Sequence, residues 1–250
     1  MTGRRVIAIT GAGGALGAAI AARLAAEADT ALVLSDVSAA SLDVTITGLT
    51  GPAAPAGPVE TALADVGDLE QVEAVVARAV DTFGRLDVLI SNAGVLSPNG
   101  RIHNLTTEDW ERAFRINVMG AVNGIRAAVP VMRAQQSGSI VLTASVSGLT
   151  AWSHAAPYCA TKAAVIQVAK VAAVEYARDG IRVNCVCPGT FRSAIHDELP
   201  EAALATIAAK HPLGLGAAAD VAGAYSYLAS DASRWTTGAA LVVDGGYSAP

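Results

Sequence analysis

Short apolar runs alternate along the chain with longer stretches in which apolar residues recur every three or four positions. The short runs are rich in Val, Ile and Leu and are bounded by Gly, Asp, Asn or Pro, a pattern typical of buried parallel strands. These runs are Val6–Ile9, Ala31–Leu34, Leu86–Ile90, Ser139–Leu142, Ile181–Val183 and Ala240–Val243. The longer stretches predict helices over Leu69–Ala79, Trp110–Val118 and Ala164–Val174, with N-caps at Asp68 and Thr107.

This alternation of strand and helix predicts an α/β fold. Right-handed crossovers between parallel strands place helices on both faces of a sheet, so we expect a doubly wound parallel sheet of about seven strands. No repeat period and no mid-chain change of composition marks a second domain. One domain is therefore expected to span residues 1–250.

Two segments lack these regular patterns. Residues 47–58 are rich in Gly, Pro and Ala and predict a surface loop. Residues 191–212 contain no strand pattern, and Pro200 interrupts their helical composition. We interpret this second segment as two short helices that form a lid over a binding site.

Composition and charge narrow the class of protein. The 250 residues are 52% hydrophobic and 16% charged, which excludes a disordered chain and allows a sizeable core without disulfides. The net charge of −5 offers no basic field for nucleic acid or anionic lipid. The apolar run after Arg4-Arg5 is too short for a signal peptide, and the longest uncharged stretch, 134–161, is too polar to span a membrane. We therefore expect a cytoplasmic protein without nucleic-acid or membrane partners.

The cysteines and histidines indicate neither a disulfide framework nor a metal site. Cys185 and Cys187 are two positions apart, which on a strand places both on one face, and we interpret them as packed, reduced thiols. The four histidines are dispersed, and no Cys/His cluster has the spacing of metal ligands. No metal is therefore expected.

A glycine-rich turn directly follows the first predicted strand. Its sequence, from Thr10 to Gly17, is Thr-Gly-Ala-Gly-Gly-Ala-Leu-Gly. Small residues allow close approach of a ligand, and the N-terminus of the following helix presents free N–H groups to a pyrophosphate. The turn therefore predicts a dinucleotide site in a Rossmann fold, although such a turn can also serve geometry alone. The candidate cofactor contacts are Gly11, Gly13, Gly14, Ala15, Leu16 and Gly17.

Asp36 ends the second predicted strand. It lies 25 positions after Gly11, close to the spacing of about 20 residues at which a carboxylate binds the hydroxyl groups of the adenosine ribose. Its charge repels a 2′-phosphate, and no Lys or Arg stands beside it, so NAD is favoured over NADP. The alternative is that Asp36 caps the helix that follows Val37.

Tyr158 and Lys162 are four positions apart at the start of a predicted helix, so they share one face. A phenol ionises near pH 10, but a nearby ammonium favours the phenolate and is expected to lower the pKa. Such a tyrosine can exchange a proton with an alcohol or a carbonyl group. The alternative is a chance pairing, although only three lysines are present.

Several motifs, in order along nearly the whole chain, resemble the short-chain dehydrogenase/reductase family in its single-domain form. The glycine turn matches the pattern Thr-Gly-x-x-x-(Gly/Ala)-x-Gly, with Ala15 at the permissive position. Residues 91–94, Ser-Asn-Ala-Gly, match Asn-Asn-Ala-Gly except at the first position, and Tyr158 follows Ser145 by 13 positions, as in the family. Pro188-Gly189, Thr237-Gly238 and Val243–Gly246 match further family patterns.

The resemblance implies an oxidoreductase that transfers hydride between NAD(H) and a secondary alcohol or ketone. It implies a catalytic set of Asn117, Ser145, Tyr158 and Lys162, in which Tyr158 is the acid/base, Ser145 positions the substrate oxygen and Asn117 holds a water that relays the proton. The implied cofactor contacts also include Asp65, Val66, Asn92, Ala93, Gly94, Tyr158, Lys162, Pro188, Gly189, Thr190, Phe191 and Ser193. The alternatives are a strand-end acid for Asp65, a turn serine for Ser145 and an ordinary helix residue for Asn117.

The candidate substrate pocket combines the segment between Ser145 and Tyr158 with the presumed lid. Its candidate residues are Ser145, Trp152, His154, Phe191 and Ile195. An aromatic, fairly apolar cavity suits a hydrophobic or cyclic small molecule. Packing against the core or another subunit is the alternative for Trp152, and a surface position is the alternative for His154.

Two other functions remain open at this level. An NADPH-dependent 3-oxoacyl-(acyl carrier protein) reductase shares the fold and the catalytic set, but Asp36 argues against it. A non-catalytic dinucleotide-binding sensor would keep the fold alone, and the intact catalytic set argues against it. Because family members are commonly tetramers, we also expect a homotetramer built on the helices that carry Asn117 and Lys162 and on the C-terminal strand.

Overall fold

Strands and helices alternate from Arg5 to Val243 in the computed structural model, which describes residues 4–49, 57–193 and 201–249, apart from the side chain of Ala203. The strands are β1 (Arg5–Thr10), β2 (Thr30–Asp36), β3 (Val59–Leu63), β4 (Val88–Ser91), β5 (Gly138–Thr143), β6 (Ile181–Pro188), β7 (Phe191–Arg192), β8 (Gly216–Ala217) and β9 (Ala240–Val243). The helices are α1 (Ala15–Ala25), α2 (Ala39–Leu49), α3 (Leu69–Phe83), α4 (Thr107–Ala113), α5 (Gly120–Gln135), α6 (Ala156–Tyr176), α7 (Glu201–Ala208) and α8 (Ala218–Leu228). No described helix is both long and apolar enough to cross a lipid bilayer.

The main sheet has the strand order β3-β2-β1-β4-β5-β6-β9, and all of its pairings are parallel. Ile7 of β1 pairs with Leu32 of β2 on one side and with Val88 of β4 on the other. The direction of winding therefore reverses between β1 and β4, which opens a crevice at their carboxyl ends. The predicted doubly wound sheet of about seven strands is confirmed.

Two apolar layers cover the sheet, because successive side chains of a strand point to opposite faces. Val6 and Ala8 of β1 pack into one layer with residues of α3, α5 and α6, whereas Ile7 and Ile9 pack into the other with residues of α1 and α8. This two-sided burial explains why the central strands are continuous apolar runs rather than alternating ones.

Cys185 and Cys187 lie on one face of β6, as predicted, and both are buried in the layer formed with α3, α5 and α6. Both thiols are free. Among the described residues, no group of three or more His, Cys, Asp or Glu is placed to hold a metal ion.

The helix starts follow their caps. Asp68 accepts hydrogen bonds from the backbone N–H groups of Glu70 and Gln71, which confirms the predicted cap of α3. The cap of α4 is Thr106 rather than Thr107, because its hydroxyl accepts from the N–H group of Asp109 while the Asp109 carboxylate accepts from the N–H group of Thr106. A π-helical turn, Phe114–Met119, joins α4 to α5.

Two expectations about irregular segments need correction. The sequence pattern missed β3, whose residues are only partly buried because it is an edge strand, and residues 47–49 of the predicted loop belong to α2. Residues 191–212 do contain a strand, the two-residue β7, which pairs with β8. One of the two predicted lid helices is α7, whereas residues 194–200, and Ile195 with them, lie outside the described residues.

Candidate active site

A cavity of about 1160 Å³ opens at the carboxyl ends of the strands, where the strand order reverses. It brings together most of the residues predicted from sequence. These are Gly11, Gly14, Ala15, Leu16, Gly17, Asp36, Asp65, Val66, Asn92, Ala93, Gly94, Ser145, Trp152, Tyr158, Lys162, Pro188, Gly189, Thr190, Phe191 and Ser193. Gly13 and Asn117 lie behind this lining, whereas His154 lies apart from it.

The glycine turn needs its glycines for two different reasons. Gly11 has a φ of +65°, and a Cβ there would lie 2.6 Å from the Cα of Ala93. A Cβ on Gly17 would lie 2.1 Å from the carbonyl oxygen of Gly11. No side chain caps α1, which begins directly at the cavity. The free backbone N–H groups at the start of α1 fit a pyrophosphate, since the N-terminus of a helix is partially positive.

Asp36 lines the cavity at the end of β2. One carboxylate oxygen accepts from the N–H group of Gly13 at 3.0 Å, and the other accepts from the N–H group of Ser38 at 3.0 Å. Ser38 rather than Asp36 caps α2, because the Ser38 hydroxyl accepts from the N–H group of Ser41 at 3.2 Å. Each carboxylate oxygen of Asp36 can accept a second hydrogen bond, which leaves capacity for a ligand in the cavity. Gly13 holds this carboxylate rather than lining the cavity itself.

Asp65 is paired inside the cavity wall. Its Oδ2 accepts from Nη1 of Arg115 at 2.8 Å, and its Oδ1 accepts from the N–H group of Gly67 at 2.8 Å. The hydrogen bond from Arg115 holds the pKa of the Asp65 carboxyl below its ordinary value. Sequence reasoning missed Arg115, because nothing in the local pattern shows that this side chain reaches across from the helix to the end of β3.

Asn92 joins three neighbouring strands beneath the cavity. Its Nδ2 donates to the carbonyl oxygens of Thr10 at 3.2 Å and of Gly11 at 3.0 Å, and its Oδ1 accepts from the hydroxyl of Thr143 at 3.2 Å. The Thr143 hydroxyl also bonds the hydroxyl of the fully buried Tyr225 at 2.8 Å. Asn92 therefore fixes the glycine turn to β5, and Thr143 and Tyr225 are supporting residues that the sequence pattern missed.

Tyr158, Ser145 and Lys162 meet on one side of the cavity. Lys162 is 4% exposed, and its Nζ donates to the carbonyl oxygen of Thr143 at 2.8 Å and lies 5.7 Å from the centre of the Tyr158 ring. Burial lowers the pKa of Lys162 to about 8. Burial raises the pKa of Tyr158, and the hydroxyls of Ser145 and Ser147 oppose that rise.

Burial therefore opposes the expected lowering of the Tyr158 pKa by Lys162 in this cavity. Both groups are removed from water, and burial disfavours the charged form of each. The lysine charge is directed at the Thr143 carbonyl rather than at the phenol oxygen. Burial stabilises the neutral form of each group relative to its charged form, so the phenol loses its proton less readily than it would in water.

Asn117 lies behind the cavity lining, within the π-helical turn. Its Oδ1 accepts from the N–H group of Val95 at 2.8 Å, and its Nδ2 donates to the carbonyl oxygen of Val95 at 3.0 Å and to the hydroxyl of Thr161 at 3.0 Å. Every hydrogen-bonding atom of this amide is thus engaged with protein. The side chain connects the segment after β4 to the helix that carries Tyr158 and Lys162.

An aromatic wall closes the end of the cavity next to Tyr158. The ring of Trp152 lies 6.1 Å from that of Tyr158 and 6.3 Å from that of Tyr247, and the Tyr247 ring lies 4.9 Å from that of His211. All four residues line the cavity. Tyr247 and His211 were not predicted, because they follow different elements and meet only in the folded chain.

His154 does not take part in this wall. Its side chain is exposed and its Nδ1 bonds the hydroxyl of Ser153 at 2.6 Å, while its carbonyl oxygen accepts from the N–H group of Gly100 at 3.0 Å. The backbone of His154 has a φ of +66°, which turns the side chain away from the neighbours on either side. The alternative interpretation, a surface histidine, describes this residue.

The chain is similar to known proteins over nearly its whole length. A sequence model of the family described as enoyl-(acyl carrier protein) reductase matches residues 11–248. Cis-4-hydroxycyclohexanecarboxylate dehydrogenase from Sinomonas cyclohexanicum is 40% identical over 246 residues, which are 98% of this chain and 97% of that protein. 2-(R)-hydroxypropyl-CoM dehydrogenase from Xanthobacter autotrophicus is 39% identical over 253 residues, 98% of this chain and 99% of that protein.

The structural comparison gives the same result. The crystal structure of levodione reductase superposes with a TM-score of 0.92 at 33% sequence identity, covering 100% of this chain and 99% of that chain. The similarity therefore includes the whole sheet, both helical layers and the crevice. The chain belongs to the short-chain dehydrogenase/reductase family and is an oxidoreductase that acts on CH–OH groups.

Proposed function

We propose that this enzyme transfers hydride between NAD(H) and a hydrophobic or cyclic secondary alcohol or its ketone, with Tyr158 as the acid/base. The observation that carries the proposal is that the Tyr158 and Ser145 hydroxyls line the same cavity as the glycine turn and Asp36. A dinucleotide bound along the glycine turn shares that cavity with an alcohol held at the two hydroxyls. The assignments of catalytic and cofactor residues below are parts of this proposal.

The cofactor side of the cavity supports a nicotinamide dinucleotide, the cofactor class of the family. The backbone around Gly11, Gly14 and Gly17 would hold the pyrophosphate, and the carboxylate of Asp36 would bind the adenosine ribose. Asp65, Val66 and the segment 92–94 would flank the adenosine half, while residues 188–193 would hold the carboxamide. The carboxylate of Asp36 supports NAD over NADP, because a 2′-phosphate would meet its negative charge.

The chemistry of the site is assigned to its own side chains. In the oxidative direction the Tyr158 phenolate accepts the hydroxyl proton of the alcohol, and in the reductive direction the phenol returns a proton to the carbonyl oxygen. The Ser145 hydroxyl positions that oxygen. Lys162 bonds the Thr143 carbonyl, and Asn117 connects the segment around Val95 to α6. The water relay expected at Asn117 stays a prediction, since the side-chain amide of Asn117 is fully engaged with protein. A bound nicotinamide ring supplies the hydride exchange with the carbinol carbon.

The substrate class follows from the wall opposite the glycine turn. Trp152, Tyr247 and Phe191 line this end of the cavity, and aromatic rings favour an apolar body of similar size. The names of the similar proteins contain a hydroxycyclohexane, a hydroxypropyl group and a dione. Secondary alcohols and ketones with a ring or a short branched body are therefore proposed as substrates.

A cytoplasmic homotetramer is proposed for the assembled enzyme. The three free cysteines support a reducing compartment. Two apolar side chains on the outer face of α6 are exposed in the single chain, those of Val171 and Val174. By resemblance to tetrameric family members, we propose that another subunit covers them. Light scattering tests the assembly.

Cofactor choice is tested by fluorescence titration of the wild type and Asp36→Ala with NADH and NADPH, using energy transfer from tryptophan. We expect the wild type to bind NADH more tightly, and the substitution to improve the relative affinity for NADPH by about tenfold, equal to about 1.4 kcal/mol. Equal or tighter binding of NADPH by the wild type would overturn the NAD assignment and favour a 3-oxoacyl reductase that uses NADPH.

Turnover separates an enzyme from a binding protein. Cyclohexanol and linear secondary alcohols are offered with NAD⁺ to the wild type and to Tyr158→Phe. We expect the substitution to abolish oxidation while NADH affinity stays within about threefold of the wild type. A wild type that binds NADH but oxidises and reduces none of these compounds or their ketones would instead match a dinucleotide sensor.

A further inference from the structure

His211 is a buried side chain with no role in the chemistry above. It is 4% exposed and follows α7 by three positions. The N–H group of Thr190 donates to its Nε2 at 3.1 Å, and its Nδ1 lies 3.0 Å from the carbonyl oxygen of Ile207. A carbonyl oxygen only accepts and a backbone N–H group only donates, so Nδ1 carries the proton and Nε2 does not. The geometry is that of a neutral imidazole in one tautomer.

This imidazole connects three segments of the cavity wall. Thr190 belongs to the loop between β6 and β7, Ile207 belongs to α7, and the ring of Tyr247 from the C-terminal segment lies 4.9 Å from that of His211. Thr190, Ile207 and Tyr247 all line the cavity themselves. The contacts with Thr190 and Tyr247 join segments that are more than 20 positions from His211, whereas Ile207 is four positions before it.

We propose that His211 is a positioning residue for the nicotinamide end of the cofactor site. By accepting from Thr190, its neutral ring ties the 188–193 loop to α7 and to the Tyr247 side of the substrate wall. The proposal rests on the assignment of that loop to the carboxamide, made under the proposed function. It adds that the binding of the nicotinamide half depends on an acceptor at position 211, whereas the adenosine half does not.

The test compares His211→Gln, which keeps an acceptor, with His211→Phe, which keeps an aromatic ring against Tyr247 but has no acceptor. Dissociation constants are measured at pH 8 for NADH and for ADP-ribose, which lacks the nicotinamide. We expect His211→Phe to weaken NADH binding by about tenfold and to leave ADP-ribose unchanged, and His211→Gln to stay within about threefold of the wild type for both. Thermal unfolding confirms that each variant is folded.

Equal NADH affinity of His211→Phe and the wild type, or equal losses in His211→Phe and His211→Gln, would sink the proposal. Failure of the wild type to bind NADH at all would instead refute the proposed function.

Discussion

Burial sets the charge state of the two side chains that face each other in the candidate active site. Lys162 is held by one hydrogen bond to the Thr143 carbonyl, and its pKa falls to about 8. Tyr158 keeps contact with the cavity, yet its pKa rises. The site therefore holds a buried ammonium group at neutral pH, which is unfavourable for folding.

Lys162→Met isolates the free-energy cost of this ammonium. The folded wild type binds fewer protons than the unfolded chain between pH values of about 8 and 10.5, the folded and ordinary pKa values of Lys162. As pH rises through this window, the free energy of unfolding of the wild type therefore increases relative to that of Lys162→Met, by up to about 3 kcal/mol. Urea unfolding of both proteins at pH 7 and pH 10.5 measures the change. A pH-independent difference would show that burial of Lys162 carries no such cost.

The raised pKa of Tyr158 predicts a different pH dependence for each direction of the reaction. Oxidation needs the phenolate, whose fraction grows by about tenfold per pH unit below the pKa, so kcat/KM for the alcohol is expected to rise from pH 7 to pH 9. Reduction needs the phenol, so kcat/KM for the ketone is expected to stay flat over the same range. Initial rates in both directions provide the measurement, and an oxidation optimum near pH 7 would contradict it.

Residues that act through local spacing could be predicted from the sequence, and residues that meet only in the folded chain could not. The glycine turn, Asp36 and the Tyr158–Lys162 pair each depend on neighbours within one strand, turn or helix. Arg115, Thr143, Tyr247 and His211 enter the cavity wall from separate elements. The same distinction explains why the effect of burial on Tyr158 was not predicted, since charge proximity is visible in a helical spacing but burial is not.

At the scale of elements, the hydrophobic pattern found the central strands and one edge strand, β9, but missed the other edge strand, β3. β3 is only partly buried, so Glu60 and Thr61 face solvent enough to hide its apolar alternation. The π-helical turn at Phe114–Met119 was also invisible, because its residues suit an ordinary helix. That turn carries Asn117 to the backbone of Val95.

Gly17 and Gly223 both lie in helices, but only Gly17 is packed too tightly to accept a side chain. A Cβ on Gly17 of α1 would lie 2.1 Å from the Gly11 carbonyl oxygen, whereas a Cβ on Gly223 of α8 would meet nothing within 4 Å. We expect Gly17→Ala to lower the free energy of unfolding by about 2 kcal/mol and to weaken NADH binding, and Gly223→Ala to raise stability by about 1 kcal/mol with unchanged binding. Chemical denaturation and NADH titration check both. Equal effects of the two substitutions would mean that the turn accommodates the added Cβ at position 17.

At the scale of the whole molecule, the sheet order determines where chemistry is possible. The reversal between β1 and β4 leaves one crevice, and the ends of β2, β4, β5 and β6 all deliver residues to it. The glycine turn lies on one side of this crevice and Tyr158 on the other. A single sheet thereby fixes the distance between the proposed cofactor site and the proposed acid/base.

The proposed tetramer gives the outer face of α6 a function in assembly. Val174 is 81% exposed in the single chain, and Val171 on the same face is 47% exposed. Burying such residues between subunits is favourable, and a charge placed there is not. We expect light scattering to give four times the 25.1 kDa mass of one chain for the wild type and a smaller assembly for Val174→Lys. Val44→Lys on α2, at a site that is 74% exposed, is the matched control and is expected to remain tetrameric. A wild-type monomer would contradict the proposed tetramer, and a Val174→Lys protein of unchanged mass would contradict the assignment of α6 to its interface.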